Sequence, residues 1–263
     1  MNSIPKIIHQ IWMQGEDNIP EKFNKNIESI KSTHKNWEYI LWDEIKILKL
    51  ISLNKEWLDL YYKFVYLHQK IDFAKYIILY TYGGIYVDID VELIKSFESL
   101  INQFNNADII VSKLNINSTE SLITTGYPES YNNGIIISKK KGEVIKKLID
   151  TILTSFYKSD LHFKVAYINS TTGPHIFTKV INKNKNISNI LPSEYLEPCT
   201  RGNCDITNNT IAIHKHELTW MPEVLKMIID FYLQNKIIVL ILIILFIIII
   251  FKNKLTVSRF NVI

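Results

Sequence analysis

One stretch governs what this chain can fold into: residues 72 to 90, DFAKYIILYTYGGIYVDID. Its first half has helical spacing, with Ile71, Ala74, Ile77 and Ile78 on one face of a helix predicted over 70–82. Gly83-Gly84 stops that helix, because glycine accepts the backbone angles a helix end requires. An apolar strand is predicted over 85–91, carrying Asp88 and Asp90 at its end. In extended chain, residues two apart point to the same face. Two carboxylates side by side repel each other unless a cation lies between them. A hard divalent ion such as Mn²⁺ or Mg²⁺ accepts both and keeps positions open for phosphate oxygens. It would neutralise a leaving diphosphate. A bare D-x-D is common, and its plain reading is two solvated acids at a strand end. Behind G-G-x-Y-x, at a helix-to-strand turn, it is far more specific.

The rest of the chain extends the alternation of helix and strand. Strands are predicted over 6–12 (KIIHQIW), 37–42 (WEYILW), 108–112, 134–138 and 210–214. Helices are predicted over 21–31, from the Asp43 cap to 51, and over 56–67, 143–156 and 174–182. The polar segment 115–133 reads as a loop, mobile over a site. This order points to an α/β fold with a mostly parallel sheet, which binds ligands at the carboxyl ends of its strands.

The C-terminus is of another kind. Ile237 to Phe251 is an unbroken apolar run of 15 residues. As a helix it spans roughly 22 Å, short of a bilayer core of about 30 Å. Phe231 to Leu233 lengthen it on one side, and Lys252 and Lys254 can snorkel on the other. A core helix seldom has apolar residues on every face, so a membrane anchor fits better. The chain therefore divides into a catalytic domain over 1–230, a single-pass transmembrane helix over 231–254 and a short basic tail over 255–263. No positively charged apolar leader opens it, and no signal peptide is expected. The orientation stays open. Lys252, Lys254 and Arg259 favour a cytosolic tail. The missing leader favours a cytosolic catalytic domain, and sequons at Asn117, Asn169, Asn186 and Asn208 matter only in a lumen.

With 47% apolar and 21% charged residues, the composition is that of a folded protein. The net charge of +4 is spread along the chain, and no basic face alternates with aromatics, so nucleic acid is not an expected partner. Cys199 and Cys204 could close a small loop or stay as free thiols.

Asp72 and Lys75 lie three apart on the predicted helix and share a face. Asp72 can accept from sugar hydroxyls and Lys75 can donate to sugar or phosphate oxygens. The plain alternative is an ordinary surface ion pair. His214 and His216 share a face if their strand is extended.

Taken in order, KIIHQIW, WEYILWD, IDFAKYIILYTYGGIYVDIDV, NNGIIISKKKG, STTGP and AIHKHELTW resemble the glycosyltransferase family with a DXD sugar-binding region. This is the family of the yeast initiating α-1,6-mannosyltransferase and the inositol-phosphoceramide mannosyltransferases. The resemblance spans about residues 4 to 220. It implies a GT-A-type, Rossmann-like nucleotide-sugar-binding fold, a divalent ion and retention of the anomeric configuration. Carried onto this chain, it sets Trp12 against the nucleotide base and Asp72 on the donor sugar. Asp88 would contact ribose or sugar and the metal's shell, Asp90 would ligate the metal, and His214 would complete the metal and diphosphate side. Thr219 and Trp220 close the motif beside the donor, and Asn133 and Gly134 lie toward the acceptor. Lys75 stands where the family usually has arginine, and loses the bidentate fork. Thr219 replaces a serine and keeps the hydroxyl.

The expected reaction is hexosyl transfer from GDP-mannose or a UDP-hexose to a glycan or lipid acceptor. STTGP and the apolar C-terminus lean toward a lipid. Two rivals remain. An aspartyl-phosphate phosphatase also opens on D-x-D, but places it on the first strand. A membrane-bound sugar-binding protein could keep the fold without the chemistry.

Overall fold

The computed structural model describes residues 3–157, 163–200 and 203–217, with positions 223, 224, 226, 227, 231 and 235 beyond them. By internal contacts the chain divides into one compact unit over 1–217 and a second over 218–263. Thr219, Trp220 and the apolar run 237–251 lie outside the described residues. Among the described residues no helix is long and apolar enough to cross a membrane.

The first strand, β1 (Ile7–Ile11), is buried almost throughout. After it, α1 (Asn24–Thr33) leads to β2 (Glu38–Trp42). Asp43 caps α2 (Glu44–Ile51) by accepting the Lys46 N–H at 2.8 Å. The predicted third helix ends early, as α3 (Lys55–Lys63), and α4 begins early, at Leu67–Tyr82. The Gln69 side chain reaches back to the Val65 and Tyr66 N–H groups and starts α4 there. Gly83 and Gly84 stop it with φ of 69° and 96°. They also let backbones approach: a Cβ on Gly84 would strike the Ile7 carbonyl.

The strand expected over 85–91 is broken. β3 (Gly84–Val87) stops before Asp88, and β4 (Val91–Leu93) joins a different sheet. Residues 88–90 form a turn, with the Val91 N–H on the Asp88 carbonyl at 3.2 Å. Same-face alternation therefore does not bring the two acids together; the turn does. Continuing the buried ladder through two carboxylates would have cost their solvation.

The remaining elements are α5 (Glu98–Gln103), β5 (Ile109–Ser112), α6 (Ser118–Thr125), β6 (Ile135–Ser138), α7 (Glu143–Ser155), α8 (Lys164–Thr171), α9 (Pro174–Lys183), β7 (Ser188–Leu191), α10 (Ser193–Leu196), β8 (Cys199–Thr200), β9 (Asn203–Cys204) and β10 (Ala212–His214). The segment read as a loop, 115–133, contains α6, capped by Asn117 and ended by Gly126 in the left-handed region. It carries no long apolar stripe, so only its caps could have revealed it.

The main sheet runs β2-β1-β3-β6-β5-β7. Three of its pairs are parallel, but β6 is antiparallel to both β3 and β5, so the sheet is mixed rather than mostly parallel. Alternate residues feed two cores. Tyr86, Ile109, Val111 and Ile136 face α4, α7 and α9. Ile8, Ile85, Val87, Ile110, Ile135 and Ile137 face the other layer with Ile30 of α1 and Phe97. Both faces are covered, which is why these strands read as continuous apolar runs. β4 pairs with β10, and Cys199 and Cys204 are joined by a disulfide across β8 and β9.

Candidate active site

The turn after β3 sets Asp88 at the carboxyl end of the central strand. Its N–H bonds the Gly134 carbonyl at 2.8 Å, which ties the turn to the start of β6. Tyr86, two residues earlier, donates its hydroxyl to Asp88 Oδ1 at 2.6 Å. Antiparallel pairing with β4 brings His214, the last residue of β10, back over the turn. His214 Nε2 lies 3.2 Å from Asp90 Oδ1 and 3.8 Å from Asp88 Oδ2. The three ligand atoms fall within 4.8 Å of one another.

Behind His214 stands Glu197, just after α10 and 2% exposed. Its Oε1 lies 3.1 Å from His214 Nδ1, and its Oε2 lies 2.8 Å from His216 Nε2. The Asn132 amide donates to Oε1 at 3.0 Å. Asn132 Oδ1 is fixed as an acceptor by the Asn133 N–H at 2.8 Å, which assigns the amide's orientation. His216 sits at φ 48°, a left-handed backbone that costs a histidine about 1–3 kcal/mol. That turn stacks its ring on His214, with centroids 4.0 Å apart. Strand alternation does not relate the two histidines, since β10 ends at His214.

On the α4 side, Asp72 and Lys75 form a buried pair at 2.9 Å, not a surface one. The Lys75 ammonium also donates to the Asn133 carbonyl at 3.2 Å, lies 3.8 Å from Asp88 and sits over the Tyr86 ring. Its donors are thus directed within the protein. Asp72 Oδ1 accepts from the Asn133 amide at 2.9 Å, and Oδ2 from the Thr172 hydroxyl at 3.2 Å. Tyr76 receives the same Asn133 amide at 2.7 Å and donates to the Thr172 carbonyl at 2.9 Å.

Burial would strip Lys75 of its proton, but Asp72 and Asp88 outweigh it and raise its pKa. Burial pushes the Asp88 carboxyl up, against Lys75 and His214. Burial opposes ionisation of Asp90 too, yet His214 and the Glu217 N–H hold it well below the usual range. For Glu197, burial is outweighed by His214 and His216, which bring its carboxyl down to about 2. His214 is raised well above its ordinary value by Glu197 and Asp90 despite burial. Four carboxylates thus face one ammonium and two imidazoles, and the cluster has room in charge for a cation. Asp88, Asp90 and His214 are a donor set suited to a divalent ion, with the histidine backed by a carboxylate as metal-binding histidines commonly are.

The expected residues Asp72, Lys75, Asp88, Asp90, Asn133 and His214 therefore meet in one place. Trp12 follows β1 at the same sheet edge, where its ring rests on Phe23 at 5.9 Å and its indole N–H bonds the Asn18 carbonyl at 2.9 Å. Thr219 and Trp220 fall outside the described residues. Sequence reasoning missed Glu197, Asn132, Tyr86 and Tyr76 as participants. Asn132 and Thr172 sit in the NNG and STTGP motifs, but nothing near Glu197 in the sequence marked it.

The family of glycosyltransferase sugar-binding regions containing a DXD motif matches residues 20–107, which include the Asp72–Lys75 pair and both acids of the turn. The match covers this part of the chain, about a third of its length, and there the chain resembles the family. Inositol phosphoceramide mannosyltransferase 1 of Schizosaccharomyces pombe is 36% identical over 107 residues, covering 39% of this chain and 33% of that protein. The chain thus matches about a third of that relative's length. A glycosyltransferase of Acanthamoeba polyphaga mimivirus is 29% identical over 250 residues, covering 91% of this chain and 92% of the other. Among solved structures, the PaToxG glycosyltransferase superposes with a TM-score of 0.53 at 18% identity, covering 70% of each chain. At that identity the likeness speaks for the mixed α/β fold alone.

Proposed function

We propose that this chain is a divalent-metal-dependent hexosyltransferase of the DXD type that retains the anomeric configuration. Its donor is a nucleotide sugar, GDP-mannose or a UDP-hexose, and its acceptor is a lipid or glycan. The reading is carried by the convergence of Asp88, Asp90 and His214 beside Asp72 and Asn133. Held by those three residues, Mn²⁺ or Mg²⁺ would neutralise charge on the leaving diphosphate.

The chain's own residues orient the reactants. Asp72 is aimed by Lys75, Asn133 and Thr172, and its remaining lone pairs take donor-sugar hydroxyls. Lys75 holds Asp72 and Asp88 in register from below rather than reaching the diphosphate. In the transfer, the bond from the anomeric carbon to the diphosphate oxygen breaks. The acceptor hydroxyl oxygen bonds that carbon on the same face, and its proton passes to the departing diphosphate. Support for this route comes from the cluster's carboxylates. Asp72, Asp88, Asp90 and Glu197 each already hold a cation or donor, which leaves none committed to serve as base. The mannosyltransferase relative favours a mannosyl donor and a lipid acceptor. Residues 231–254 would anchor the chain in a membrane.

The test is transfer by the full chain in detergent from GDP-mannose, UDP-glucose, UDP-galactose and UDP-N-acetylglucosamine, with and without Mn²⁺. NMR of the first-formed product reads its anomer. An inverted product overturns the route, and donor binding without transfer or hydrolysis would favour a sugar-binding protein. Asp90→Asn is expected to abolish Mn²⁺-dependent donor binding with the fold intact, read by calorimetry and circular dichroism, because a neutral amide is a poor ligand for a hard cation.

A further inference from the structure

We infer that Glu197 is a positioning residue, which sets His214 with its Nε2 toward Asp88 and Asp90 by accepting the hydrogen on Nδ1. The inference rests on the metal reading of the Asp88, Asp90 and His214 cluster and adds to it a residue that touches neither ion nor donor.

Glu197, His214 and His216 are also close enough to hold an ion, but the hydrogen bonds into Glu197 Oε1 favour a supporting role. A carboxylate offers acceptors only, so Nδ1 of His214, 3.1 Å from Glu197 Oε1, must carry the hydrogen. Asn132 Nδ2 also lies 2.9 Å from that nitrogen. It cannot be its donor as well, and its amide hydrogen goes to Oε1 of Glu197 at 3.0 Å. Two donors thus converge on one carboxylate oxygen, and His216 Nε2 approaches the other at 2.8 Å. With Nδ1 engaged, the remaining ring nitrogen is the one facing the two acids. The left-handed backbone at His216 serves the same end, folding its ring flat against His214 within reach of Glu197. Glu197 itself is pinned in sequence. Its N–H bonds the Ser193 carbonyl at 2.8 Å, and the next residue's carbonyl accepts from Asp205 N at 2.9 Å, across the disulfide-closed hairpin. Carboxylates placed behind a ligating histidine in this way typically alter metal affinity by about 10–100-fold when replaced.

The experiment is Mn²⁺ binding to the full chain, followed by the electron paramagnetic resonance of free Mn²⁺ with no donor present. Wild type is compared with Glu197→Gln, Glu197→Asp and, as a control, Glu98→Gln. Glu98 pairs with Lys6 at the surface, and its replacement is expected to leave Mn²⁺ affinity unchanged. Glu197→Gln is expected to weaken Mn²⁺ by about 10–100-fold, with Glu197→Asp between it and wild type. Wild-type affinity in a folded Glu197→Gln protein overturns the inference while leaving the metal site standing. Absence of Mn²⁺ binding in wild type itself overturns the metal reading and this inference together. A second measurement needs no variant: the long-range ¹H–¹⁵N spectrum of the Mg²⁺-saturated protein should show His214 protonated on Nδ1 alone. A proton on Nε2 with Nδ1 bare overturns the inference even where Glu197→Gln fails to fold.

Discussion

Gly134 has no side chain, and its neighbours leave room for none. A Cβ there would land on the His214 ring and 2.8 Å from Asp88 Oδ2. Gly134→Ala is therefore expected to drive His214 off the acids, with a stability loss of roughly 1–3 kcal/mol from overpacking. Mn²⁺ titration should show the affinity gone while circular dichroism still reports the fold; unchanged affinity would mean that His214 is not needed there. Lys75 tests a different force. Removing the ammonium leaves the buried Asp72 without its cation and the half-buried Asp88 without a neighbouring one, a change that costs roughly 3 kcal/mol. Lys75→Ala should melt at markedly lower temperature and lose turnover by at least about tenfold, whereas Lys75→Arg keeps the charge and should stay folded and active. A Lys75→Ala protein as stable and active as wild type would return the residue to an incidental ion pair.

β1 carries a titratable group whose state is dictated by its neighbours. His9 is fully buried, accepts the Trp42 indole N–H on Nδ1 at 3.2 Å and approaches the Gly83 carbonyl with Nε2 at 2.9 Å. Burial lowers its pKa to about 4, against the opposing pull of the Gly83 carbonyl. The unfolded chain takes up that proton near pH 6.5, before the folded one does. The neutral imidazole's contribution is therefore complete above pH 6.5 and falls away between 6.5 and 4, by roughly 3 kcal/mol at the lower end. Urea unfolding across that range should show the loss, and His9→Gln should make it shallower without abolishing it, because burial also lowers His68 to about 4. An NMR titration placing His9 near 6.5 would remove the cause. The elements themselves were legible where local chemistry was strong. Asp43, Gly83-Gly84 and the apolar strands announced β1, β2, α2, α4 and β6. α5, α8, β7 and α10 were missed because they are short or weakly patterned, and tertiary packing decides such segments.

At the scale of the molecule, residues 1–217 form a compact unit of their own. A chain ending near residue 230 should accordingly be soluble without detergent and unfold cooperatively, within a few degrees of the full protein. Aggregation of that truncation would mean that the apolar run completes the core instead of serving as an anchor. The same cut should leave Mn²⁺ binding in place, because Asp88, Asp90, His214 and Glu197 all precede it.

The stretch from Asp72 to Asp90 determined by itself that a helix would halt on two glycines and feed a buried strand ending in acids. Local propensity, glycine's freedom at positive φ and the cost of burying charge act within a few residues, so they can be read from the chain. The motif order also pointed to a resemblance with the DXD glycosyltransferases, and through it to Asp72, Asp88, Asp90 and His214. What brings these together is not local. The turn at 88–90, the antiparallel course of β6 and the pairing of β4 with β10 decide which residues separated by scores of positions share one cluster. Lys75 reads as a surface lysine until the layer over α4 buries it beside two carboxylates. Glu197 has no motif around it at all. Its place behind His214 comes from α10, the disulfide-closed hairpin and β10 folding onto one another, and a carboxylate's effect on a distant imidazole depends on distance through space, which the sequence does not encode.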